Sequence, residues 1–387
     1  MRFKKKNVFP GGVHPTDGQD KALTMNKPVR VYLPEQKTVS SEPAFGNAVY
    51  ERQLVPVDEF SREDIIRGME EGGLVGMGGA GFPTHIKYKT DLPIEAVLVN
   101  GAECEPFLTC DYRLMLECPA GIINGVRLMK KAARAEKAYI CIEDNKPEGV
   151  KSLNAVLKDC KEEGIEVKVL PTKYPQGGER QLIQAVLGRE VPAGSFPAAV
   201  GAMVSNIGTA KATADMVLGK KPLDSRVVTV TGCVKDPGNF LVPVGTTAKE
   251  LLELCGGITE KHHRIIGGGP MTGPCITYDW DGQEELFCIG KNTSGILVLP
   301  DYQTEENPCM RCGGCEQVCP AGLIPYQIDF AYQEEDFELC ESLHASECIA
   351  CGCCSYTCPA KRELSLRTRL ARDAVKQRMR ERAEKKA

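Results

Sequence analysis

Two runs of cysteine, each spaced C-x2-C-x2-C-x3-C and followed by proline, constrain this 387-residue chain more than any other feature. They read CMRCGGCEQVCP from residue 309 and CIACGCCSYTCP from residue 348. Ten of the nineteen cysteines fall within residues 309–358. Disulfide frameworks of this density belong to small secreted domains, whereas crowded cysteines in a long chain indicate metal ligands. We therefore predict a compact metal-binding region there.

The spacing resembles that of bacterial ferredoxins with two [4Fe–4S] clusters. In those runs the fourth cysteine, just before proline, ligates the other cluster. The two ligand sets that we predict are Cys309, Cys312, Cys315 and Cys358, and Cys348, Cys351, Cys354 and Cys319. Zinc is the alternative, but it favours C-x2-C pairs separated by a longer arm. We expect Cys340 and Cys353 to be non-ligands and the other nine cysteines to be small buried side chains.

Composition narrows the class of protein further. The 48 basic and 52 acidic residues give a formal charge of −4, which argues against nucleic acid as a partner. No apolar run approaches the roughly 18 residues that a membrane-spanning helix needs. The first residues, MRFKKKNVFPGGVHP, are basic and lack the apolar segment of a secretory signal. We expect a cytoplasmic location.

Strand and helix patterns alternate from residue 61 to residue 188, which predicts a mainly parallel sheet covered on both faces. Ser61 is the expected N-cap of the first of these helices. From about residue 225 the pattern changes to a hairpin around Asp236-Pro237-Gly238. A short helix follows, capped by Thr246 or Thr247, and this order predicts a small β-grasp unit. The chain ends in a basic helical segment.

We therefore predict an α/β multidomain protein. Its expected parts are a short β-rich N-terminal segment (1–60), an α/β ligand-binding domain (61–222), a β-grasp unit (223–300), a two-cluster ferredoxin domain (301–365) and a basic helical tail (366–387).

The stretch GMGGAGFPTHIKYK, residues 76–89, contains G-x-G-x-x-G but lacks the context of a dinucleotide fold. A Rossmann loop follows a buried strand, whereas the segment before this loop has a helical pattern. Two further groups of residues stand out. VNGAECEPFLTCDYRLM (99–115) places polar side chains after a predicted strand, and YPQGGERQLIQAV (174–186) leads two glycines into a helix that could hold an anion.

Together, GxGGAGFPTxxK, NGAECEP and YPQGGE resemble the flavin and NADH-binding subunit of respiratory complex I. They are most similar to the RnfC family, the peripheral subunits of bacterial Rnf ferredoxin:NAD⁺ oxidoreductases. GGVHP (11–15), TKYPQGGERQLI (172–183) and the tandem cysteine runs match RnfC in particular. The resemblance implies a complex I flavin-subunit-like α/β domain and an SLBB-like β-grasp unit.

The resemblance also implies the residues that hold the cofactors. Those expected around FMN are Gly76, Gly78, Gly79, Gly81, Asn100, Glu103, Tyr174, Gly177, Gly178, Asn206 and Thr209. Those expected to meet NADH are Phe82, Lys87, Glu105 and Glu179. Structural alternatives stay open at this point: Phe82 as a core aromatic, Lys87 as a solvated charge, and the carboxylates of Glu103 and Glu105 as loop stabilisers bonded to backbone amides.

Three departures from the pattern are visible. The flavin subunit of complex I ends in a single-cluster domain, whereas a two-cluster ferredoxin region follows here, as in RnfC. RnfC carries a lipoyl-like module between GGVHP and the glycine loop, but only about 60 residues separate those motifs here, so we expect a reduced form of it. Gly178 stands where complex I has an acidic residue.

The implied function is electron input. NADH would reduce FMN, and the two clusters would pass electrons to a partner iron–sulfur subunit that meets ferredoxin, while membrane subunits couple the flow to ion translocation. The chain would then lie peripherally on the inner face of the membrane, with no catalytic side chain needed. The alternatives are a flavin and iron–sulfur cobalamin reductase of a bacterial microcompartment, and a non-enzymatic iron–sulfur electron relay. The basic tail is expected to be a solvated or partner-binding helix.

Overall fold

The computed structural model describes residues 24–160, 162–261, 263–276, 287–300 and 305–385. These form two compact units: a larger unit, from the described residues up to 300, and a cysteine-rich unit, from those after 304. The GGVHP motif lies outside the described residues.

The strands all belong to the larger unit within the described ranges. They are β1 (Arg30–Leu33), β2 (Thr38–Val39), β3 (Ala96–Gly101), β4 (Lys137–Glu143), β5 (Ile165–Leu170), β6 (Ala202–Asn206), β7 (Ser225–Gly232), β8 (Gly238–Pro243), β9 (His263–Gly267), β10 (Cys275–Ile276) and β11 (Gly295–Pro300).

The helices of the larger unit are α1 (Val49–Arg52), α2 (Arg62–Glu71), α3 (Thr84–Tyr88), α4 (Cys110–Glu117), α5 (Pro119–Ala133), α6 (Pro147–Leu157), α7 (Glu179–Leu187), α8 (Ile207–Gly219) and α9 (Ala248–Leu254). Those of the cysteine-rich unit are α10 (Gly314–Gln317), α11 (Pro325–Gln333), α12 (Phe337–Ser342), α13 (Cys353–Thr357) and α14 (Leu364–Glu384). Short 3-10 turns occur at Pro197–Val200 and Ala345–Glu347.

The first sheet of the larger unit is wholly parallel, in the order β5-β4-β3-β6, as the alternating pattern predicted. Successive side chains of a strand point to opposite faces. Val97 and Val99 of β3 therefore join the core that includes α5 and α8, whereas Ala96 and Leu98 join the core that includes α7. The inner strands β3 and β4 are buried on both faces, whereas the edge strand β5 is partly exposed, and the predicted α/β class is confirmed.

Helices α5 and α8 approach each other closely at Gly125. A Cβ added there would lie 1.8 Å from the carbonyl oxygen of Ala210. Backbone cannot rotate away as a side chain can, so the two helices would have to move apart. The glycine is therefore required by this helix contact.

We expect Gly125→Ala to lower the free energy of unfolding by about 3 kcal/mol, because the added methyl overpacks the interface. Denaturant unfolding measures this directly. Gly149→Ala in α6 is the matched control, since the nearest atom to its added Cβ is the flexible Met115 Sδ at 3.1 Å. That control should change stability by less than about 1 kcal/mol, and equal effects of the two variants would contradict the prediction.

The second sheet of the larger unit is mixed, in the order β10-β9-β11-β7-β8-β1-β2. Strands β7 and β8 form the predicted antiparallel hairpin, and β1 pairs with β8 in parallel. The strands from the N-terminal segment thus extend this sheet. Helix α9 packs in the core on it through Leu251 and Leu252.

Local signals set several helix ends as predicted. The Ser61 hydroxyl caps α2 by accepting from the Asp64 amide, and Thr247 caps α9 by accepting from the Glu250 amide. Pro119 begins α5 directly after α4 ends. Proline fits a first helical turn, where the missing N–H would have no partner.

The cysteine-rich unit has its own apolar core, formed by α11, α12 and the first half of α14. Ile328, Ala371 and Val375 are among its buried members. Asp329 is fully buried and accepts hydrogen bonds from Arg362 and Arg367. The basic terminal helix therefore packs within its unit along one side. In the described residues, no helix is both long and apolar enough to cross a membrane.

Candidate functional site

The glycine loop joins α2 to α3 without a preceding long strand. The Gly76 amide donates to the Phe82 carbonyl at 2.8 Å, and the Gly81 amide donates to the Gly76 carbonyl at 3.2 Å. At the base of the loop, the buried Met77 amide donates to Thr209 Oγ1 at 3.0 Å. The tip at Gly78 and Gly79 is exposed. The loop is therefore fixed at its ends and open at its tip.

Asn206 and Thr209 belong to the start of α8, beside this loop. Asn206 is the N-cap: its Oδ1 accepts from the Gly208 amide at 2.8 Å, and its Nδ2 donates to Asp111 Oδ2 at 2.7 Å. A Cβ added to Gly78 would lie 3.4 Å from the Cβ of Asn206. The loop and the helix N-terminus are thus in near contact.

The carboxyl end of β3 brings Asn100 to the YPQGGE segment. Asn100 Nδ2 donates to the Gly177 carbonyl at 2.8 Å, and the Gly177 amide donates to Cys104 Sγ at 3.3 Å. A Cβ on Gly177 would lie 3.2 Å from Asn100 Nδ2. Burial raises the pKa of the Cys104 thiol to about 11, so this thiol stays protonated at neutral pH.

Glu103 has a positive φ of 48° and turns its carboxylate onto the start of α4. Its oxygens accept from the Asp111 amide at 2.7 Å and from the Tyr112 amide at 3.3 Å. A carboxylate at a helix N-terminus is favoured by the helix dipole. The loop-stabilising alternative for Glu103 therefore has direct structural support.

The YPQGGE segment lies before α7. Tyr174 is half-buried and precedes a cis proline, while Gly178 is the N-cap of α7. Gln176 is fully buried, and neither its Oε1 nor its Nε2 has a hydrogen-bond partner within the described part of the chain. Buried amides are nearly always hydrogen-bonded, so this side chain is suited to a ligand with donors and acceptors.

The residues expected to meet NADH divide into two groups. Phe82 is 48% exposed, so the core-aromatic alternative is wrong. Lys87 is partly buried and donates to the Val204 carbonyl at 2.7 Å and to Glu179 Oε1 at 3.1 Å, so it is more than a solvated charge. These residues surround the glycine loop and the start of α7.

Glu105 instead contacts the second sheet. Its oxygens accept from the Met271 amide at 3.1 Å and from Thr272 Oγ1 at 2.5 Å. These partners lie in a glycine-rich loop between β9 and β10. A Cβ on Gly269 in that loop would come within 2.2 Å of Glu105 Oε2. Glu105 therefore links the segment after β3 to the loop between β9 and β10 of the second sheet.

Sequence reasoning missed several residues that hold these loops. Lys146, 2% exposed, donates to the Ala102 carbonyl at 2.7 Å and lies 3.4 Å from the buried Glu143 carboxylate. Asn292 Nδ2 donates to the Gly79 carbonyl at 2.8 Å. The only sequence signal is their position at the carboxyl end of a strand: Glu143 is the last residue of β4, and Lys146 follows it by three residues.

The geometry of these elements fits FMN. The tip of the glycine loop is exposed and so accessible to a ligand. The N-termini of α7 and α8 offer amide donors for a phosphate. The unpaired side-chain amide of Gln176 offers a polar partner for a ring system. A Cβ on Gly177 would contact Asn100, and a Cβ on Gly78 would contact Asn206.

In the described part of the cysteine-rich unit, one cavity is lined by four cysteines from both motifs. They are Cys309, Cys312, Cys315 and Cys358. Cys312 and the neighbouring Met310 are exposed. The set joins three residues of the first run to the last residue of the second.

The second cavity has the reciprocal lining. Its four motif cysteines are Cys319, Cys348, Cys351 and Cys354. Cys353 also lies in its wall, whereas Cys340 is buried in the apolar core. The prediction that neither is a ligand remains a prediction.

The two loops repeat one backbone conformation. Gly313 and Gly352 have φ of 73° and 81°, and Arg311 and Ala350, which precede them by two residues, also have positive φ. This turn brings amides to sulfur: Arg311 N lies 3.4 Å from Cys309 Sγ, and Ala350 N lies 3.3 Å from Cys348 Sγ. Amide donors stabilise thiolate, the form that binds metal. Four motif cysteines in the wall of each cavity, one of them with such a donor, fit a [4Fe–4S] cluster.

The expectation for the nine scattered cysteines was partly wrong. Four of them are buried: Cys110, Cys118, Cys141 and Cys255. The others are partly or fully exposed: Cys104, Cys160, Cys233, Cys275 and Cys288. Cys275 lies in the short edge strand β10, and Cys288 lies outside the strands in an isolated bridge with Thr247.

Family models match both domains of the larger unit. The Nuo51 FMN-binding domain matches residues 69–215, and the SLBB domain matches residues 227–274. Two crystal structures of NAD⁺-reducing [NiFe]-hydrogenase share the fold, with TM-scores of 0.56 and 0.55 at 20% and 19% identity. They cover 73% and 83% of this chain, which spans 54% and 63% of those chains.

Three curated relatives, each an RnfC protein, are similar over most of the chain. The one from the proton-translocating ferredoxin:NAD(+) oxidoreductase complex of Clostridium ljungdahlii is 42% identical over 72% of this chain and 61% of its own length. The one from the Na(+)-translocating complex of Acetobacterium woodii is 39% identical over 82% and 72%. The one from the ion-translocating oxidoreductase complex of Haemophilus influenzae is 36% identical over 74% of this chain and 43% of the relative.

A Nuo51-type flavin domain followed by an SLBB domain places the chain in the class of complex I-like flavin subunits. More narrowly, the chain belongs to the RnfC family of ion-translocating ferredoxin:NAD(+) oxidoreductase complexes. The resemblance inferred from the motifs is confirmed.

Proposed function

We propose that this chain is the electron-input subunit of a membrane-associated complex that passes electrons between NADH and ferredoxin. FMN and two [4Fe–4S] clusters would carry the electrons within the chain, and partner subunits would couple their flow to ion translocation. The observation that carries the proposal is the presence, in one chain, of a Nuo51 FMN-binding domain and two cavities, each lined by four cysteines of the two motifs. The names of the relatives favour it over a cobalamin reductase.

When bound, FMN supplies the conversion between hydride transfer and single-electron transfer. The chain's part is to hold and orient it. Backbone amides of the glycine loop and of the starts of α7 and α8 would bind the phosphate. Asn100 and Asn206 are fixed by Gly177 and Asp111, so their orientation is set before the ligand arrives.

NADH would lie on the exposed side of the glycine loop. Phe82 offers a ring for stacking on adenine. Lys87 would exchange part of its contact with Glu179 for a nucleotide phosphate, while Glu179 and Glu105 would accept hydrogen bonds from ribose or nicotinamide. None of these side chains needs to form a covalent bond with the substrate.

The remaining partners follow from the family. Other Rnf-type subunits would include an iron–sulfur subunit that meets ferredoxin and membrane subunits that hold this chain on the inner face of the membrane. The relatives are named as parts of such complexes. The basic helix α14 retains exposed apolar residues, including Leu366, Leu370 and Met379, that another protein of the complex could cover.

Anaerobic purification tests the proposal. We expect about one FMN, measured by fluorescence after denaturation, about eight iron atoms per chain, and NADH-dependent reduction of ferricyanide. A protein with iron but no flavin, unreactive with NADH, would instead be a relay.

Phe82→Ala tests the nucleotide contact separately. Loss of stacking worth about 1 kcal/mol should raise KM for NADH roughly fivefold, with FMN content unchanged. Phe196→Ala, at an aromatic that is 79% exposed and in none of the predicted sites, is the control. An unchanged KM in the Phe82 variant would remove the stacking role.

A further inference from the structure

Thr368 in α14 carries a buried hydroxyl that the fold does not use. The residue is 1% exposed, and Oγ1 has no hydrogen-bond partner among the residues that the structure describes. A threonine within a helix ordinarily donates to the carbonyl four residues earlier. Because a buried hydroxyl without a partner costs free energy, this one is expected to have a partner in the loaded protein.

The position of Thr368 indicates that partner. The residue lines the second cavity together with Cys319, Cys348, Cys351 and Cys354. Ser365, the other α14 residue in this wall, has its amide engaged with Ser355 Oγ. Thr368 thus brings an uncommitted donor to the cavity in which the proposed function places a cluster.

We propose that the Thr368 hydroxyl donates a hydrogen bond to a sulfur of the second cluster and makes this cluster the one with the higher reduction potential. The inference rests on the proposed function, because it requires both clusters. A hydrogen bond to sulfur stabilises the more negative, reduced cluster and so raises its potential. Within the cysteine-rich unit, the second cluster would be the one that is reduced preferentially.

The first cavity has no counterpart of the Thr368 hydroxyl among the described residues. None of the residues that line it carries a buried side-chain oxygen or nitrogen without a hydrogen-bond partner. Cations lie near both cavities, Arg311 and Arg362 in the wall of the first and Arg372 at the Cys348 carbonyl beside the second. The unpaired hydroxyl is therefore the feature that distinguishes the second cavity.

Thr368→Val tests the hydrogen bond with little change of shape, and Thr368→Ser retains the hydroxyl. The full-length chain with both clusters is titrated potentiometrically under anaerobic conditions and followed by electron paramagnetic resonance. We expect the valine variant to lower the equilibrium constant for one-electron reduction of the higher-potential cluster about tenfold, or about 59 mV. The lower potential should stay unchanged, and the serine variant should remain within about twofold of the wild type.

An unmoved higher potential, equal movement of both potentials, or movement of the lower potential alone would overturn the inference. Should Thr368→Val fail to retain iron, Thr368→Ala is judged by the same criteria. A wild-type protein without two clusters would overturn the proposed function together with this inference. Full iron and flavin with an unmoved potential would overturn this inference alone.

Discussion

Replacing Cys312 and Cys358 together by alanine should remove about half of the iron, whereas replacing Cys312 and Cys319 together should remove nearly all of it. The reason is the crossed lining of the two cavities, in which Cys312 shares a cavity with Cys358 and not with Cys319. Loss of two ligand cysteines from the same cluster removes one cluster of four iron atoms. Loss of one ligand cysteine from each cluster removes both clusters. Iron and sulfide analysis of anaerobically prepared variants measures the difference.

Cys353→Ala is the matched control for these variants. It lies in the wall of the second cavity but outside both predicted ligand sets, so the variant should keep its full iron content. If instead the Cys312/Cys319 pair removed half of the iron and the Cys312/Cys358 pair removed all of it, each run would bind its own cluster. Recovery of zinc in place of iron would reject the cluster assignment altogether.

Gly79→Ala should abolish FMN binding. Gly79 has a φ of 117°, which L side chains rarely adopt, and a Cβ there would meet no protein atom within 4 Å. The side chain would therefore project into open space at the exposed tip, where we propose that the flavin lies, and the loop would also be strained. Flavin released on denaturation should fall at least tenfold per chain, while the iron content should stay unchanged.

Gly188→Ala controls for backbone strain. Gly188 ends α7 with a φ of 67°, again with nothing within 4 Å of an added Cβ, but it lies at the other end of the helix from the predicted flavin site. It should cost about 1 kcal/mol of stability and leave flavin content unchanged. A normal flavin content in the Gly79 variant would show that the cofactor does not lie at the glycine tip.

The sequence was most informative for features that depend on the spacing of residues close in the chain. The periodicity of apolar residues and the positions of turn and capping residues predicted the parallel sheet, the hairpin at Asp236-Pro237-Gly238 and the caps at Ser61 and Thr247. These features depend on residues that are close in the chain. Repeated cysteine spacing grouped the same residues that line the two cavities. Short-range patterns were therefore sufficient for the fold class, while the ligand sets of the two clusters, which rest on the resemblance to two-cluster ferredoxins, stay a prediction.

Contacts between distant segments could not be predicted in the same way. Two examples are the hydrogen bond between Glu105 and Thr272 and the hydrogen bond between Asn206 and Asp111. Each joins residues that are far apart in the chain and are related by no periodic pattern. The burial of a cysteine depends on contacts of this kind, so the exposure of Cys275 in an edge strand and of Cys288 outside the strands was not predicted. The unpaired hydroxyl of Thr368 is visible only once α14 is packed.

The parallel pairing of β1 with β8 affects how this molecule can be dissected. A fragment excised as residues 223–300 would lack its neighbour at β8 and present a row of free amides and carbonyls along Gly238–Pro243. Bare strand edges of this kind template intermolecular association. A soluble excised β-grasp fragment would therefore have to carry residues 30–39 as well, fused or supplied as a peptide.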